Sequence, residues 1–251
     1  MRVTRRQSLK TLVAGAAVAR TSVAAAARLK LIVFDVGGTI IQDHGDVPEA
    51  LQSAFAKRGI TITPEEIAAV RGASKREVVR RFASERSKAK GAELDALIAA
   101  VYTDFTAKAI EAYRDVPPIA GAEAAFQSLQ KSGLILTTST GFGREISDSI
   151  FHRLNWEKYF AARITSDDVQ QGRPAPWMIF HAMEAARIAN VAEVLVIGDT
   201  PLDLQAGTNA GARGVVGVLS GASKREKLEP EPHTDIIPSV ADLPALIASK
   251  Y

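Results

Sequence analysis

The sequence contains no cysteine, and this absence excludes several kinds of functional site. Without thiols the chain cannot form disulfides, zinc–thiolate centres or a catalytic cysteine nucleophile. The G-x-S-x-G motif of serine hydrolases is also missing. The histidines are few, and their spacing is not that of metal ligands: His44, His152, His181 and His233. The 251 residues, 47% of them hydrophobic and 24% charged, suit one large α/β domain or a core with a modest insertion.

Outside residues 1–27, the sequence also has no excess of positive charge. The formal net charge is +3, but residues 1–27 contain five basic residues and no acidic residue. Removing these five charges from +3 leaves the remainder at about −2. A chain with that balance has no electrostatic signature of nucleic-acid binding, so we expect no nucleic-acid partner.

Residues 1–27 resemble a twin-arginine export signal. Arg5 and Arg6 supply the arginine pair, residues 11–19 are mildly apolar, and an A-x-A site precedes Arg28. The apolar run is too short to span a bilayer, so no stable membrane anchoring is expected. This pattern predicts a periplasmic or otherwise exported protein. The alternative is a basic tail on a cytoplasmic protein.

The segment from Leu29 to Ile40, LKLIVFDVGGTI, organises the rest of the chain. Its apolar and β-branched run predicts a parallel strand that is buried on both faces. Asp35 then lies at the carboxyl end of that strand, where open α/β sheets bind ligands. A carboxylate there can attack phosphorus if a metal neutralises the surrounding charge. The alternative is an ordinary aspartate that caps the following turn.

The remaining pattern predicts a doubly wound α/β fold with a helical insertion after the first strand. About seventy residues after Ile40 are helical, with Thr63 and Ser74 as helix N-caps and Pro117–Pro118 at the end of the insertion. Strands and helices alternate from there onward, including helices over 144–154 and 176–189. The insertion is placed to cover the carboxyl edge of the sheet, where it can act as a lid.

Three further strand ends bring polar groups to the same edge. Thr140 and Gly141 precede a helix whose N-terminus can bind phosphate, or Thr140 is a simple N-cap. Arg173 stands before a proline and can hold a phosphoryl group and balance the charge on Asp35; the alternative is a solvated loop arginine. Asp199 and Asp203 are one helical turn apart and, with Asp35, predict a magnesium site. Their alternative role is to stabilise a helix N-terminus.

In order and placement, the motifs DVGGT, Thr140–Gly141, Arg173 and GDTPLD resemble those of the haloacid dehalogenase superfamily. The resemblance implies a Rossmann-like core over 28–46 and 117–251, with a helical cap over 47–116. It implies that Asp35 forms an aspartyl-phosphate and that Thr140 and Arg173 hold the phosphoryl group. It also implies Mg²⁺ as cofactor, with these ligands: Asp35, the carbonyl of Gly37, Asp199 and, in support, Asp203.

Gly37 indicates which group within the superfamily the chain resembles. Phosphatases of this superfamily usually have a second aspartate at that position, which acts as general acid and then as general base. Phosphonoacetaldehyde hydrolases have a small residue there, since their cap lysine forms a Schiff base with an aldehyde. The runs TGFGRE from Thr140 and GRPAPWM from Gly172 are similar to that group, and Lys75 has the spacing of the cap lysine. The resemblance implies these substrate-binding residues: Gly38, Gly141, Phe142, Arg144 and Arg71.

Some positions depart from that group. Phe142 replaces a tyrosine, Val78 a histidine, and Arg71 an apolar neighbour of the lysine. Lys75 can therefore form an imine or merely grip an anionic group of the substrate. Three functions stay open: a phosphonatase-like hydrolase, a phosphatase of a small phosphorylated metabolite, and a phosphate-ligand binder without catalysis. The expected partner is a small phosphorylated or phosphonate substrate, and a homodimer is compatible with the resemblance.

Overall fold

The computed structural model describes residues 28–251. The predicted export signal in residues 1–27 lies outside the described residues, so its use stays a prediction. No helix within 28–251 has the length and apolar character needed to cross a membrane.

A six-stranded parallel sheet forms the centre of the molecule, with strand order β3-β2-β1-β4-β5-β6. The direction of winding reverses between β1 and β4, so their carboxyl ends flank the topological switch point of the sheet. This arrangement confirms the predicted doubly wound fold. The strands are β1 Leu31–Phe34, β2 Ile135–Ser139, β3 Ala162–Ile164, β4 Val194–Gly198, β5 Gly214–Val218 and β6 Asp235–Ile237.

Four helices form the insertion that follows β1, and α5 then leads into β2. Thr63 caps α2 in a reciprocal arrangement with Glu66, and the Ser74 side chain accepts from the Glu77 N–H at the start of α3. Both N-caps are those the sequence predicts. The helices are α1 Asp46–Ala56, α2 Pro64–Ala68, α3 Lys75–Arg86 and α4 Gly91–Ala112.

Six more helices cover the sheet after this insertion: α5 Ala122–Lys131, α6 Arg144–Leu154, α7 Trp177–Ala185, α8 Pro201–Ala210, α9 Arg225–Leu228 and α10 Leu243–Lys250. The helix predicted over 176–189 ends early, at Ala185. The reason is Arg187, whose φ of 57° is left-handed and cannot continue a right-handed helix.

Two apolar layers enclose the sheet, because alternate residues of a strand point to opposite faces. Ile32 and Phe34 belong to the larger layer, which also contains buried residues of α5, α6 and the helical insertion. Leu31 and Val33 pack in the smaller layer with residues of α7 and α8. The insertion therefore shares one continuous core with a face of the sheet.

Three polar contacts join the insertion to the carboxyl edge of the sheet. The Lys75 N–H donates to the Gly141 carbonyl at 2.9 Å, and the Gly172 N–H donates to Glu77 Oε1 at 2.8 Å. Arg76 forms an ion pair with Asp167 at 2.8 Å. These contacts hold the insertion against the segments that follow β2 and β3.

Phe126 of α5 lies at the centre of an aromatic cluster in the larger core. Its ring is fully buried, with centroids 5.6 Å from Phe34, 5.1 Å from Trp156 and 5.0 Å from Phe160. Edge-to-face contacts of this kind add to the free energy of burial. This cluster fixes α5 against the strand that carries Asp35.

We expect Phe126→Ala to lower the free energy of unfolding by about 3–5 kcal/mol, because it leaves a cavity in a packed core. Urea denaturation measures the loss. Phe180→Ala, at a site that is 37% exposed, is the control and should cost about 1 kcal/mol or less. Equal losses for the two variants would contradict the central place of Phe126.

Candidate active site

Asp35 and Asp199 follow neighbouring strands at the switch point of the sheet. Phe34 and Ile197 are paired in the β1–β4 ladder, and the Asp35 N–H donates to the Ile197 carbonyl at 2.9 Å. Both aspartates are buried, with 6% and 1% of their surface exposed. The strand-end placement predicted for them therefore brings two carboxylates to one point.

The guanidinium of Arg173 lies between two buried carboxylates. It contacts Asp35 Oδ1 at 2.9 Å and Asp203 Oδ1 at 2.6 Å, and it donates to the Ser139 carbonyl at 2.5 Å. Its side chain is 3% exposed, so the alternative of a solvated loop arginine is wrong. Burial of two negative charges requires such a partner.

The pKa of Asp35 is raised to about 6, first by burial and then by the nearby Asp203 carboxylate. The positive charge of Arg173 opposes both effects. Asp35 is therefore a carboxylate whose ionised form depends on its neighbours, which is typical of functional sites.

Asp203 uses both carboxylate oxygens within the protein. Oδ1 faces Arg173, while Oδ2 accepts from the Thr200 N–H at 3.0 Å and from Thr200 Oγ1 at 2.6 Å. Thr200 is the N-cap of α8, so Asp199 does not have the capping role that was its alternative. Asp203 is thus placed to position Arg173 and the loop that follows β4.

The three aspartates could hold a metal ion. One carboxylate oxygen from each lies within 4.8 Å of the other two. Asp199 Oδ2 accepts from the Ala222 N–H at 2.6 Å, but its buried Oδ1 has no hydrogen-bond partner within residues 28–251. Burial, followed by repulsion from Asp35 and Asp203, raises the pKa of Asp199 well above its usual range. An unpaired buried oxygen among carboxylates fits a hard divalent cation.

Gly38 supports Asp199 and does not line the cavity in front of it. A Cβ at Gly38 would lie 2.4 Å from Asp199 Oδ2, and its φ of 82° also favours glycine. The position predicted for substrate binding is instead needed for the close approach of Asp199.

Thr140, Gly141 and Phe142 lie where the sequence predicts a phosphate site, and all three line the same cavity. Thr140 Oγ1 accepts from the Phe142 N–H at 3.2 Å, which turns the chain at the end of β2. A Cβ on Gly141 would lie 2.5 Å from the Ala73 carbonyl oxygen of the insertion. Glycine is therefore required there for the insertion to close on the sheet.

Lys75 reaches the cavity from the first turn of α3. Only 7% of the residue is exposed, and its Nζ donates to the Ala73 carbonyl at 2.8 Å and lies 5.8 Å from the centre of the Phe142 ring. Burial, followed by the charge of Arg173, lowers the pKa of Lys75 to about 8, although Asp35, Asp43 and Asp203 oppose the shift. A substantial share of this amine is neutral near pH 8, as a nucleophile requires.

A partly open cavity of about 60 Å³ joins these groups. Its polar end contains Asp35, Arg173 and Asp199. The wall formed by the insertion is largely apolar, with these residues: Val47, Pro48, Leu51, Ile67 and Val70.

Two predicted substrate contacts differ in their placement. Arg71 does line the cavity, but its guanidinium is paired with Asp43 at 3.0 Å. Arg144 does not reach the cavity: it contacts Asp168 at 2.5 Å and donates to the Arg163 carbonyl at 2.7 Å. Arg144 is therefore not placed to contact a substrate as expected, because its charge is paired with Asp168 in the loop after β3.

Sequence reasoning missed Asp43 and Tyr113, which also line the cavity. Asp43 lies in the segment that leads from β1 into the insertion, and Tyr113 lies where the insertion returns to the sheet. Their positions at the two junctions between the insertion and the sheet could have indicated them, because residues at such junctions face the space between the insertion and the sheet.

Similarity to known proteins covers most of the chain. Residues 32–217 match the family model described as haloacid dehalogenase-like hydrolase. Over 215 residues the chain is 31% identical to a phosphonoacetaldehyde hydrolase from Bacillus cereus, and the match covers 81% of each chain.

Two solved structures share the fold. A phosphonoacetaldehyde hydrolase-like protein from Oleispira antarctica has a TM-score of 0.76 at 20% identity, with 97% of this chain and 96% of that chain covered. A hydrolase from Pseudomonas syringae has a TM-score of 0.77 at 22% identity, with 89% and 99% covered.

We expect reductive methylation of Lys75 in the metal-free protein to follow an apparent pKa of about 8. The amine reacts only when neutral, so its rate should rise through that pH, whereas an ordinary lysine reacts about two pH units higher. Mass spectrometry after treatment with formaldehyde and cyanoborohydride gives the rate at each pH. Lys131, which is exposed at the end of α5, is the internal control. The same midpoint for both lysines would contradict the effect of burial.

Proposed function

Because this chain belongs to the haloacid dehalogenase-like hydrolase family, we propose that it is a phosphonatase-like hydrolase. The proposed reaction is cleavage of the carbon–phosphorus bond of phosphonoacetaldehyde or a close organophosphonate. One observation carries the proposal: the amine of Lys75, with its lowered pKa, and the carboxylate of Asp35 line the same cavity. A neutral amine can add to an aldehyde, and a carboxylate can attack phosphorus.

We propose Mg²⁺ as the cofactor. Asp35, Asp199 and the carbonyl of Gly37 would hold it, and the unpaired Oδ1 of Asp199 supports this assignment. Asp203 would act indirectly, because Arg173 and Thr200 already occupy its oxygens. The bound cation supplies positive charge that offsets the carboxylates and the phosphoryl oxygens.

In the proposed reaction, Lys75 joins the aldehyde carbon and water is lost, which leaves a protonated imine. Asp35 then attacks phosphorus, and the electron pair of the carbon–phosphorus bond moves into the imine to form an enamine. Water hydrolyses the aspartyl-phosphate, while protonation and hydrolysis of the enamine release acetaldehyde. The leaving carbon transfers its electron pair to nitrogen, so no acid is needed at the position of Gly37.

The lining of the cavity supports a small substrate with few hydroxyls. The apolar wall of the insertion offers few partners for sugar hydroxyls, which would be left without hydrogen bonds. A hexose phosphate is therefore a poor fit for this wall.

Hydrolysis of a small phosphomonoester is the second candidate function. It is favoured by the hydrogen bond of 2.8 Å from Lys75 Nζ to the Ala73 carbonyl, which would fix an ammonium group to grip an anion. In that case Lys75 is a binding residue, and the absence of an acid at Gly37 limits the enzyme to good leaving groups. Binding without turnover of either substrate class would indicate a phosphate-ligand binder.

We expect the full-length protein with Mg²⁺ to release acetaldehyde from phosphonoacetaldehyde, as measured with coupled alcohol dehydrogenase and NADH. Lys75→Ala should lose about 10³-fold or more in kcat, and borohydride with substrate should inactivate only a protein that has Lys75. Lys75→Arg is the control, since it keeps the positive charge but cannot form an imine. If Lys75→Arg kept the activity, Lys75 would act only by binding an anionic group of the substrate.

We expect Gly37→Asp to raise hydrolysis of alkyl phosphomonoesters by about 10²–10⁴-fold, because it places an acid near the leaving group. A Cβ at this position would meet Phe142 at 3.5 Å and Tyr113 at 3.7 Å, which are ordinary contacts. Phosphate release measures the gain. Gly37→Asn has the same shape without the acid, so an equal gain in that variant would contradict the explanation.

A further inference from the structure

Tyr113 ends α4, where the insertion returns to the sheet. Its N–H donates to the Ala109 carbonyl at 2.9 Å, so the last helical turn fixes its backbone. Its ring packs edge-on against Phe142, with centroids 5.3 Å apart at an angle of 66°. Only 2% of the residue is exposed. The side chain is therefore held in place from both sides.

The hydroxyl of Tyr113 points to the space in front of Gly37. It lies 3.7 Å from the position that a Cβ of residue 37 would occupy, and it lines the cavity together with Asp35 and Lys75. A side chain that projects from residue 37 would meet this hydroxyl and the edge of the Phe142 ring. Tyr113 thus brings a protic group to the region that Gly37 leaves without one.

This hydroxyl is a neutral donor at the wall of the cavity. Burial and the nearby carboxylates, Asp43 first among them, raise the pKa of Tyr113 well above its usual range, which keeps the phenol protonated. The charged donors around it are already engaged: Arg173 by Asp35 and Asp203, and Arg71 by Asp43. A protonated phenol at the cavity wall can donate a hydrogen bond to a ligand there.

We propose that Tyr113 is a catalytic residue whose hydroxyl donates a hydrogen bond to the substrate oxygen on the carbon side of the phosphoryl group. This inference rests on the proposed function, in which that atom is the aldehyde oxygen. As the electron pair of the Lys75 amine forms the nitrogen–carbon bond, the π pair of the carbonyl moves to oxygen. The phenol meets the charge that develops there, and the oxygen finally takes the proton that nitrogen loses.

The test compares Tyr113→Phe with the wild type in the full-length protein. We expect a loss of about 10²-fold in kcat for phosphonoacetaldehyde, a smaller change in KM and an unchanged melting temperature. Tyr102→Phe is the matched control: it lies in the same helix, stacks on Arg76 at 4.6 Å and does not line the cavity. Wild-type kcat in Tyr113→Phe, or an equal loss in Tyr102→Phe, would overturn the proposal.

A second measurement separates this inference from the proposed function. If the wild type cleaves only phosphomonoesters, the proposed function fails, and the donor would then face the bridging ester oxygen. The loss in Tyr113→Phe should in that case be larger for an alkyl phosphate than for p-nitrophenyl phosphate, whose leaving group needs little stabilisation. Equal losses for the two esters would overturn the role of Tyr113 whatever the substrate.

Discussion

The two ion pairs of Arg173 are the interaction on which the rest of the site depends. Three carboxylates are buried at the switch point of the sheet, and such a cluster is costly without compensating charge. Arg173 offsets two of them directly, at 2.9 Å from Asp35 and 2.6 Å from Asp203. Asp199 keeps an oxygen without a partner. Within residues 28–251, this cluster of carboxylates is therefore the place where a cation would fit.

The helical insertion completes the site by adding the groups that face the carbon end of a ligand. The sheet provides Asp35, Asp199 and Arg173, whereas the insertion provides Lys75 and an apolar wall. Close backbone approach makes this possible, because Gly141 leaves room for the Ala73 carbonyl. The same closure that removes water from Lys75 also lowers its pKa. The packing of the insertion on the sheet therefore determines both the shape of the cavity and the pKa of Lys75.

The fold and the positions of Asp35 and Asp199 could be predicted from the sequence. Each aspartate follows a buried apolar strand, and the carboxyl ends of parallel strands lie at one edge of the sheet. Local signals also predicted the caps at Thr63 and Ser74. The pairing of Arg173 with Asp35 was predicted, but the partner of Arg144 and the second pairing of Arg173, with Asp203, were not, since ion pairs depend on contacts between distant segments. For the same reason, no local pattern indicates that Tyr113 faces Gly37 across the cavity.

The attachment of Lys75 to the insertion has a mechanical consequence. Lys75 belongs to α3 of the insertion, whereas Asp35 follows β1 of the sheet. In the proposed reaction, a substrate bound covalently to the lysine and held at its phosphoryl end would link the insertion to the sheet. Only cleavage of the carbon–phosphorus bond, or hydrolysis of the imine back to the aldehyde, would break that link. The covalent intermediate would therefore keep the insertion over the sheet while Asp35 attacks phosphorus.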